Sequence, residues 1–257
     1  MPDGDQATTY HFALDRDRTP ALDFEAAEDV FIPTQTSRLL IQGVRQTMTA
    51  PGTVLDLGCG IGVCGIALTK LGLCQPPTCF SDLSGRAVEL TARNARAHGV
   101  EAVVRQGSLL TPWAGESFDL IVDDVSGVAE AIARHSSWFP AGVACDSGPD
   151  GTALVTHVIA AAPQHLNPGG RLIFPVLSLS CERRILEIAR AVFEEVSLVT
   201  EQSWFLPEEL QQRFDVLQPL LDAGVITLEH KFGAWLWSTK IYQASLARAG
   251  RRAPQGA

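Results

Sequence analysis

The chain has 257 residues, of which 46% are hydrophobic and 19% charged, enough apolar material for a large core and against global disorder. Lys and Arg number 20 against 29 Asp and Glu, giving a net charge of −9 and a pI near 5.1. That balance argues against nucleic-acid or anionic-membrane partners, which need clustered cations; with no run near ~20 apolar residues and no apolar secretion-signal core at the polar start, a cytoplasmic protein is expected.

Residues 1–29 read as an N-terminal arm, loosely ordered to about residue 20. From there, short β-rich runs alternate with longer helical patterns, the signature of βαβ units. The first strand is Thr53–Leu57, followed by a glycine-rich turn and a helix to about Leu71. Strand two is Thr78–Ser81, and a helix runs from Ser84, a plausible N-cap, to His98, with Gly99 as its stop. Strand three is Ala102–Arg105, and strand four is the apolar run Phe118–Val122, suited to the centre of a parallel sheet. A short helix is expected over Val128–His135 and a longer one over Ala153–His165, before a turn at Asn167-Pro-Gly-Gly170 and strand five at Arg171–Val176. Helix Glu182–Phe193, strand six (Val196–Thr200) and a last strand over Ala234–Gln243 complete the pattern.

The expected fold is a doubly wound, seven-stranded, mostly parallel α/β sheet of Rossmann-like type, spanning residues 30–246. An insertion at about 203–233 carries an amphipathic helix (Pro207–Leu221) and the pair Trp204-Phe205, and reads either as a cap over the pocket or as an edge decoration. Residues 247–257 read as a flexible tail. The six cysteines, Cys59, Cys64, Cys74, Cys79, Cys145 and Cys181, form no Cys-x-x-Cys pair and have no His at zinc spacing. Reduced structural thiols and no bound metal are expected.

The stretch Asp56-Leu-Gly58-Cys59-Gly60-Ile-Gly62-Val-Cys-Gly65 carries the most chemistry. Glycines after a strand let the backbone approach a ligand. Gly60 to Gly65 also satisfies the dinucleotide pattern G-x-G-x-x-G, with Asp82 downstream to hold a ribose. Against a dinucleotide stands Asp56, two residues before the first glycine: a carboxylate there repels a pyrophosphate and attracts an ammonium. The bland reading of these residues is an ordinary strand-to-helix turn.

From about Val30 to Phe174 the chain resembles the class I S-adenosylmethionine (SAM) dependent methyltransferases. The resemblance implies SAM as cofactor, with Gly58, Cys59, Gly60 and Gly62 against its methionine part and Asp56 organising the loop or meeting the amino group. It further implies Asp82 on the ribose hydroxyls and Leu83 on the adenine face. Ser108 and Leu109 then lie at the adenine edge, and Asp123 beside the sulfonium. Two segments resemble the release-factor glutamine methyltransferases in particular. Val30-Phe-Ile-Pro-Thr-Gln-Thr36-Ser37 is similar to their segment over the SAM site, with Thr36 at its acidic position. Asp146-Ser-Gly148-Pro-Asp150-Gly151-Thr152 is similar to their Gly-Gly-x-Asp-Gly loop.

After strand four, however, that subgroup carries Asn-Pro-Pro-Tyr, which clamps a planar amide, whereas this chain reads Asp123-Asp124-Val-Ser126-Gly127. Two carboxylates suit an amine or hydroxyl better than an amide. The expected reaction is therefore methyl transfer to a small amine- or hydroxyl-bearing metabolite, as in secondary metabolism. Asp124 or His135 would serve as base, with His11 more remote, and Thr36, Ser126 and Trp235 would contact the substrate. The bland readings are a helix cap for Asp124 and a surface position for His135. Trp204, Phe205, Trp235 and Trp237 offer either core packing or an aromatic wall for a sulfonium or ammonium. Two alternatives remain: a cyclase in which the α-amino group of SAM displaces methylthioadenosine to form azetidine-2-carboxylate, and a non-catalytic SAM-binding subunit or sensor.

Overall fold

The centre of the molecule is set by two strands that are apolar on both sides, Val54–Leu57 and Phe118–Asp123, which pair in parallel and are almost entirely buried. The computed structural model describes residues 8–13, 21–139, 145 and 147–246. Asp146, the expected tail at 247–257 and parts of the expected arm lie outside the described residues. In chain order the elements are β1 (Thr8–Phe12), β2 (Leu22–Ala26), α1 (Gln35–Thr47), β3 (Val54–Leu57), α2 (Val63–Lys70), β4 (Thr78–Asp82), α3 (Gly85–Ala97), β5 (Ala102–Gln106), β6 (Phe118–Asp123) and α4 (Glu130–Ala133). Then follow α5 (Ala153–Ala161), β7 (Leu166–Leu177), α6 (Glu182–Val192), β8 (Glu195–Phe205), α7 (Glu208–Gln211), α8 (Phe214–Asp222), β9 (Glu229–Lys231) and β10 (Ala234–Ser245).

The main sheet runs β5-β4-β3-β6-β7-β10-β8, with β9 attached to β10. The first five strands are mutually parallel and β10 is antiparallel to both its neighbours. The expected doubly wound α/β sheet is therefore present, with eight strands where seven were expected. Side chains alternate across it with period two: Val54, Leu120 and Val122 join Phe80, Ile66 and Leu40 on one face. Leu55, Leu57 and Ile121 join Phe174, Val158 and Ile185 on the other. The order of the strands reverses between β3 and β6, where such sheets bind ligands beyond their carboxyl ends.

Several boundaries differ from the sequence reading for identifiable reasons. β8 extends to Phe205, five residues past the expected end, because it is a solvent-facing edge strand whose polar residues give no burial signal. Asn167–Gly170 is not a free turn but the start of β7, at a register irregularity opposite β6. The expected Val128–His135 helix contracts to α4, and the insertion helix splits into α7 and α8 around Arg213.

The arm read as loosely ordered contains the antiparallel pair β1–β2, anchored by fully buried Phe12 and Phe24. The Glu25 amide donates to Asn94 Oδ1 on α3 (2.8 Å), while Asn94 Nδ2 donates to the carbonyls of Glu25 (3.0 Å) and Ile61 (2.9 Å). Tyr10 donates its hydroxyl to the Pro33 carbonyl (3.0 Å), fixing the segment that leads into α1.

Candidate active site

The turn after β3 is held mainly by backbone. The amides of Gly58 and Cys59 both donate to the Ser81 carbonyl (2.9 and 3.0 Å), joining the ends of β3 and β4. Gly58 has φ +74°, and a Cβ there would meet Val125 N and Asp124 O at 3.2 Å, so the turn lies directly against the chain leaving β6. Asp82 closes the arrangement: one carboxylate oxygen accepts from the Gly60 amide and the other from the Ser84 amide, both at 2.9 Å. Ser84 in turn caps α3 by accepting from the Ala87 amide.

A cavity of about 640 Å³ opens beyond this edge of the sheet, within the usual size range of small-molecule sites. Of the residues singled out in the sequence, Thr36, Gly58, Gly60, Asp82, Leu83, Ser108, Leu109, Asp124 and Ser126 line it. Leu83 is an exposed apolar side chain, and Leu109 holds φ +48°, a strained value for a residue with a Cβ. The loop resembling Gly-Gly-x-Asp-Gly braces the wall from behind. Ser147 donates to the Ser126 carbonyl (2.6 Å), and a Cβ on Gly151 would lie 2.6 Å from the Ala129 nitrogen.

Other expected residues do not reach the cavity. Asp56 points under α2 and accepts from the Gly65 amide at 2.7 Å; burial pushes its pKa up to about 8. Cys59 is buried beside Thr91, and Gly62 packs against Thr91 and Ile66. Asp123 is fully buried, accepts from the Val125 amide at 3.2 Å, and is likewise raised to about 8 by burial. His135 turns outward, 2.9 Å from Arg213 Nη1, because α4 ends two residues earlier than expected. His11 pairs with Asp23 on the exposed hairpin.

The aromatic expectation divides. Trp237 lines the cavity, whereas Trp235 meets Phe214 and His230 at tilted angles with ring centroids 5.1 and 4.7 Å apart. Trp204 donates to Thr239 Oγ1 (3.2 Å), and Phe205 is exposed. Among the described residues, none of those lining the cavity comes from 203–233. That segment packs behind the wall instead, placing Leu206, Leu210, Leu217 and Ile226 in one cluster with Ile132, Leu177 and Trp237.

The most reactive group facing the cavity is Asp124. Ser37, buried on α1, donates its hydroxyl to Asp124 Oδ2 at 2.6 Å, and the Cys64 thiol lies 3.6 Å from the same oxygen. Burial raises the Asp124 pKa to about 6, and these two hydrogen bonds restrain the rise. The arrangement provides a carboxylate able to take a proton near neutral pH. The sequence reading missed Ser37 as its partner and the aromatic residues Phe31, Trp138 and Phe139, which also line the cavity. Phe31 and Ser37 lay inside a segment already singled out; the adjacent Trp138-Phe139 pair was the only local signal for the others.

Cys59, Cys64, Cys74, Cys79 and Cys181 are free thiols. Among the described residues there is no cluster of three or more His, Cys, Asp or Glu placed to hold a metal, and no helix long and apolar enough to cross a membrane.

Residues 25–124 match the methyltransferase small domain. The chain is 31% identical over 156 residues to the release factor glutamine methyltransferase of Geobacter sulfurreducens, covering 59% of this chain and 55% of that protein. It is 33% identical over 132 residues to a ribosomal protein uL3 glutamine methyltransferase of Bradyrhizobium diazoefficiens, covering 49% and 40%. Among solved structures, a 16S rRNA methyltransferase from T. thermophilus superposes with a TM-score of 0.59 at 14% identity, over 93% of this chain and 50% of that one, which is a likeness of fold. The chain spans a little over half the length of the release-factor relative. The chain is thus similar to the methyltransferase small domain over residues 25–124 and to release-factor glutamine methyltransferases over 59% of its length. These comparisons also correct one expectation. The curated relatives are named for acting on a release factor and a ribosomal protein, which overturns the small-metabolite acceptor and the absence of macromolecular partners.

Proposed function

We propose that the chain is a SAM-dependent methyltransferase whose acceptor group is carried on a protein. The observation that carries this reading is the cavity at the carboxyl edge of the parallel sheet, with the glycine turn and Asp82 on one side and Asp124 on the other. The residues present fit SAM. Gly58 and Gly60 line the cavity with bare backbone. Each Asp82 oxygen accepts one backbone N–H and retains lone-pair capacity for a ribose hydroxyl. Leu83 and Leu109 supply apolar contact for a base.

SAM, when bound, supplies an electrophilic methyl group on a cationic sulfur. The chain's own residues then have two tasks: to align the acceptor while excluding water, and to remove a proton where the acceptor carries one. Asp124 is placed for the second, with Ser37 fixing one of its oxygens. The protein acceptor is supported by the printed targets of the relatives. At the position of their amide clamp this chain has Asp123 to Ser126, so no Asn side chain is there to hold a planar amide.

The test is incubation of the purified chain with methyl-labelled SAM, alone and with fractionated ribosomal proteins and translation factors. Label entering a protein band, with S-adenosylhomocysteine formed only when that fraction is present, is the expected result. Methylthioadenosine released from SAM alone would replace methyl transfer by intramolecular cyclisation. SAM left intact with every fraction would leave a binding subunit.

A further inference from the structure

The aromatic part of the cavity lining has its own chemistry. Phe31 and Phe139 meet with ring centroids 5.7 Å apart, and Trp138 and Trp237 with centroids 5.1 Å apart, both pairs tilted. All four rings line the cavity together with Asp124. They come from three separate places: the segment before α1, the chain after α4 (two residues) and β10, with 203–233 packed behind Trp237. Among the described residues, the charged ones in the lining are Asp29, Asp82 and Asp124, with no Lys, Arg or His. A lobe with aromatic faces, carboxylates and no cation attracts positive charge, because ring quadrupoles and carboxylates both favour a desolvated cation. A neutral amide gains from neither.

We infer that this aromatic lobe is the acceptor site and that it takes an aliphatic ammonium, the protonated amine of a lysine side chain or a chain N-terminus, which the rings and Asp124 receive together. The inference rests on the methyl-transfer reading above and narrows its acceptor. In the step it implies, the ammonium gives one proton to the Asp124 carboxylate. The freed nitrogen lone pair forms the N–CH₃ bond as the C–S bond breaks, its electron pair remaining on sulfur as a neutral thioether. The product is a methylammonium, and Asp124 returns its proton to solvent.

The experiment uses the full chain saturated with S-adenosylhomocysteine at pH 8, titrated separately with n-butylamine, 1-butanol and butyramide and followed by tryptophan fluorescence and calorimetry. Butylamine, cationic at that pH, should bind at least about tenfold more tightly than either neutral probe. Asp124→Asn and Phe139→Leu should each lower that preference severalfold, and Trp237→Leu should do so if the variant melts as the parent does. Equal binding of the three probes, or preference for butyramide, would overturn the inference. So would ring variants that weaken SAM relative to S-adenosylhomocysteine while leaving butylamine binding intact, since the rings would then serve the sulfonium. SAM affinity of the unaltered chain is measured alongside: no SAM binding with the butylamine preference retained removes the methyl-transfer reading and spares the lobe, whereas SAM binding with no preference does the reverse.

Discussion

The two halves of the cavity are built by different means. The side at β3 and β4 is a product of consecutive sequence: one turn, one strand-terminal acid and one helix cap, tied by backbone amides to Ser81 and Asp82. The side at β6 and β10 is assembled from three distant segments of the chain, with Phe31, Trp138, Phe139 and Trp237 converging only after folding. The first half depends on main-chain geometry and tolerates almost no added atoms. The second depends on side-chain surfaces, which can be exchanged without disturbing the sheet, so a common nucleotide-side frame is compatible with different acceptors.

If that contrast is right, the largest effect comes from the shared acid. Asp82→Ala removes the acceptor for both the Gly60 and Ser84 amides and the expected ribose contact, and should weaken SAM binding by about 100-fold by calorimetry, two lost charge-assisted hydrogen bonds at roughly 1.5 kcal/mol each. Unchanged affinity would detach Asp82 from the ligand. A smaller effect is expected at Gly58, where a methyl group meets backbone at 3.2 Å at φ +74°. Gly58→Ala should cost about 1–3 kcal/mol of stability in denaturant titration. It should also impair the Asp124 side of the cavity, because the clash is with that chain. Full stability would mean that the two loops are not in register as described.

The smallest effect sharpens the comparison on the acceptor side. Burial raises Asp124 to about 6 and the Ser37 hydroxyl, donating to its charged form, works against that rise. Removing the hydroxyl therefore raises the Asp124 pKa further. Activity that needs the carboxylate grows as pH climbs through that value, so in Ser37→Ala the corresponding limb of the kcat profile should move to higher pH by about one unit or less, with the alkaline plateau retained. A uniform loss at all pH values would assign Ser37 to packing alone. Charged Asp124 also raises the buried Asp56 and Asp123, so the shift is read against the unaltered chain in the same buffers.

What could be read from the chain follows the same division. The glycine turn, Asp82 and the parallel order of strands were legible because each depends on residues adjacent in sequence, and the release-factor likeness located the segment over the cavity. Asp56, expected to organise the loop or meet the amino group, holds the Gly65 amide and does not line the cavity, nor does Asp123, because alternation along a strand fixes a face of the sheet, not the distance to its edge. His135 was misjudged because α4 is shorter than its apolar pattern suggests. Trp235 and Trp237 share a face, yet only Trp237 reaches the cavity. The length of β8 was hidden because an exposed edge needs no apolar code.

Asn94 gives the N-terminal hairpin a role beyond covering α3. Its amide side chain holds the Glu25 main chain on one side and the Ile61 carbonyl of the glycine turn on the other. Deuterium uptake at Glu25 therefore reports on a site it never touches: a ligand that steadies the turn also slows the opening of the hairpin, and occupancy could be followed from residues near the start of the chain.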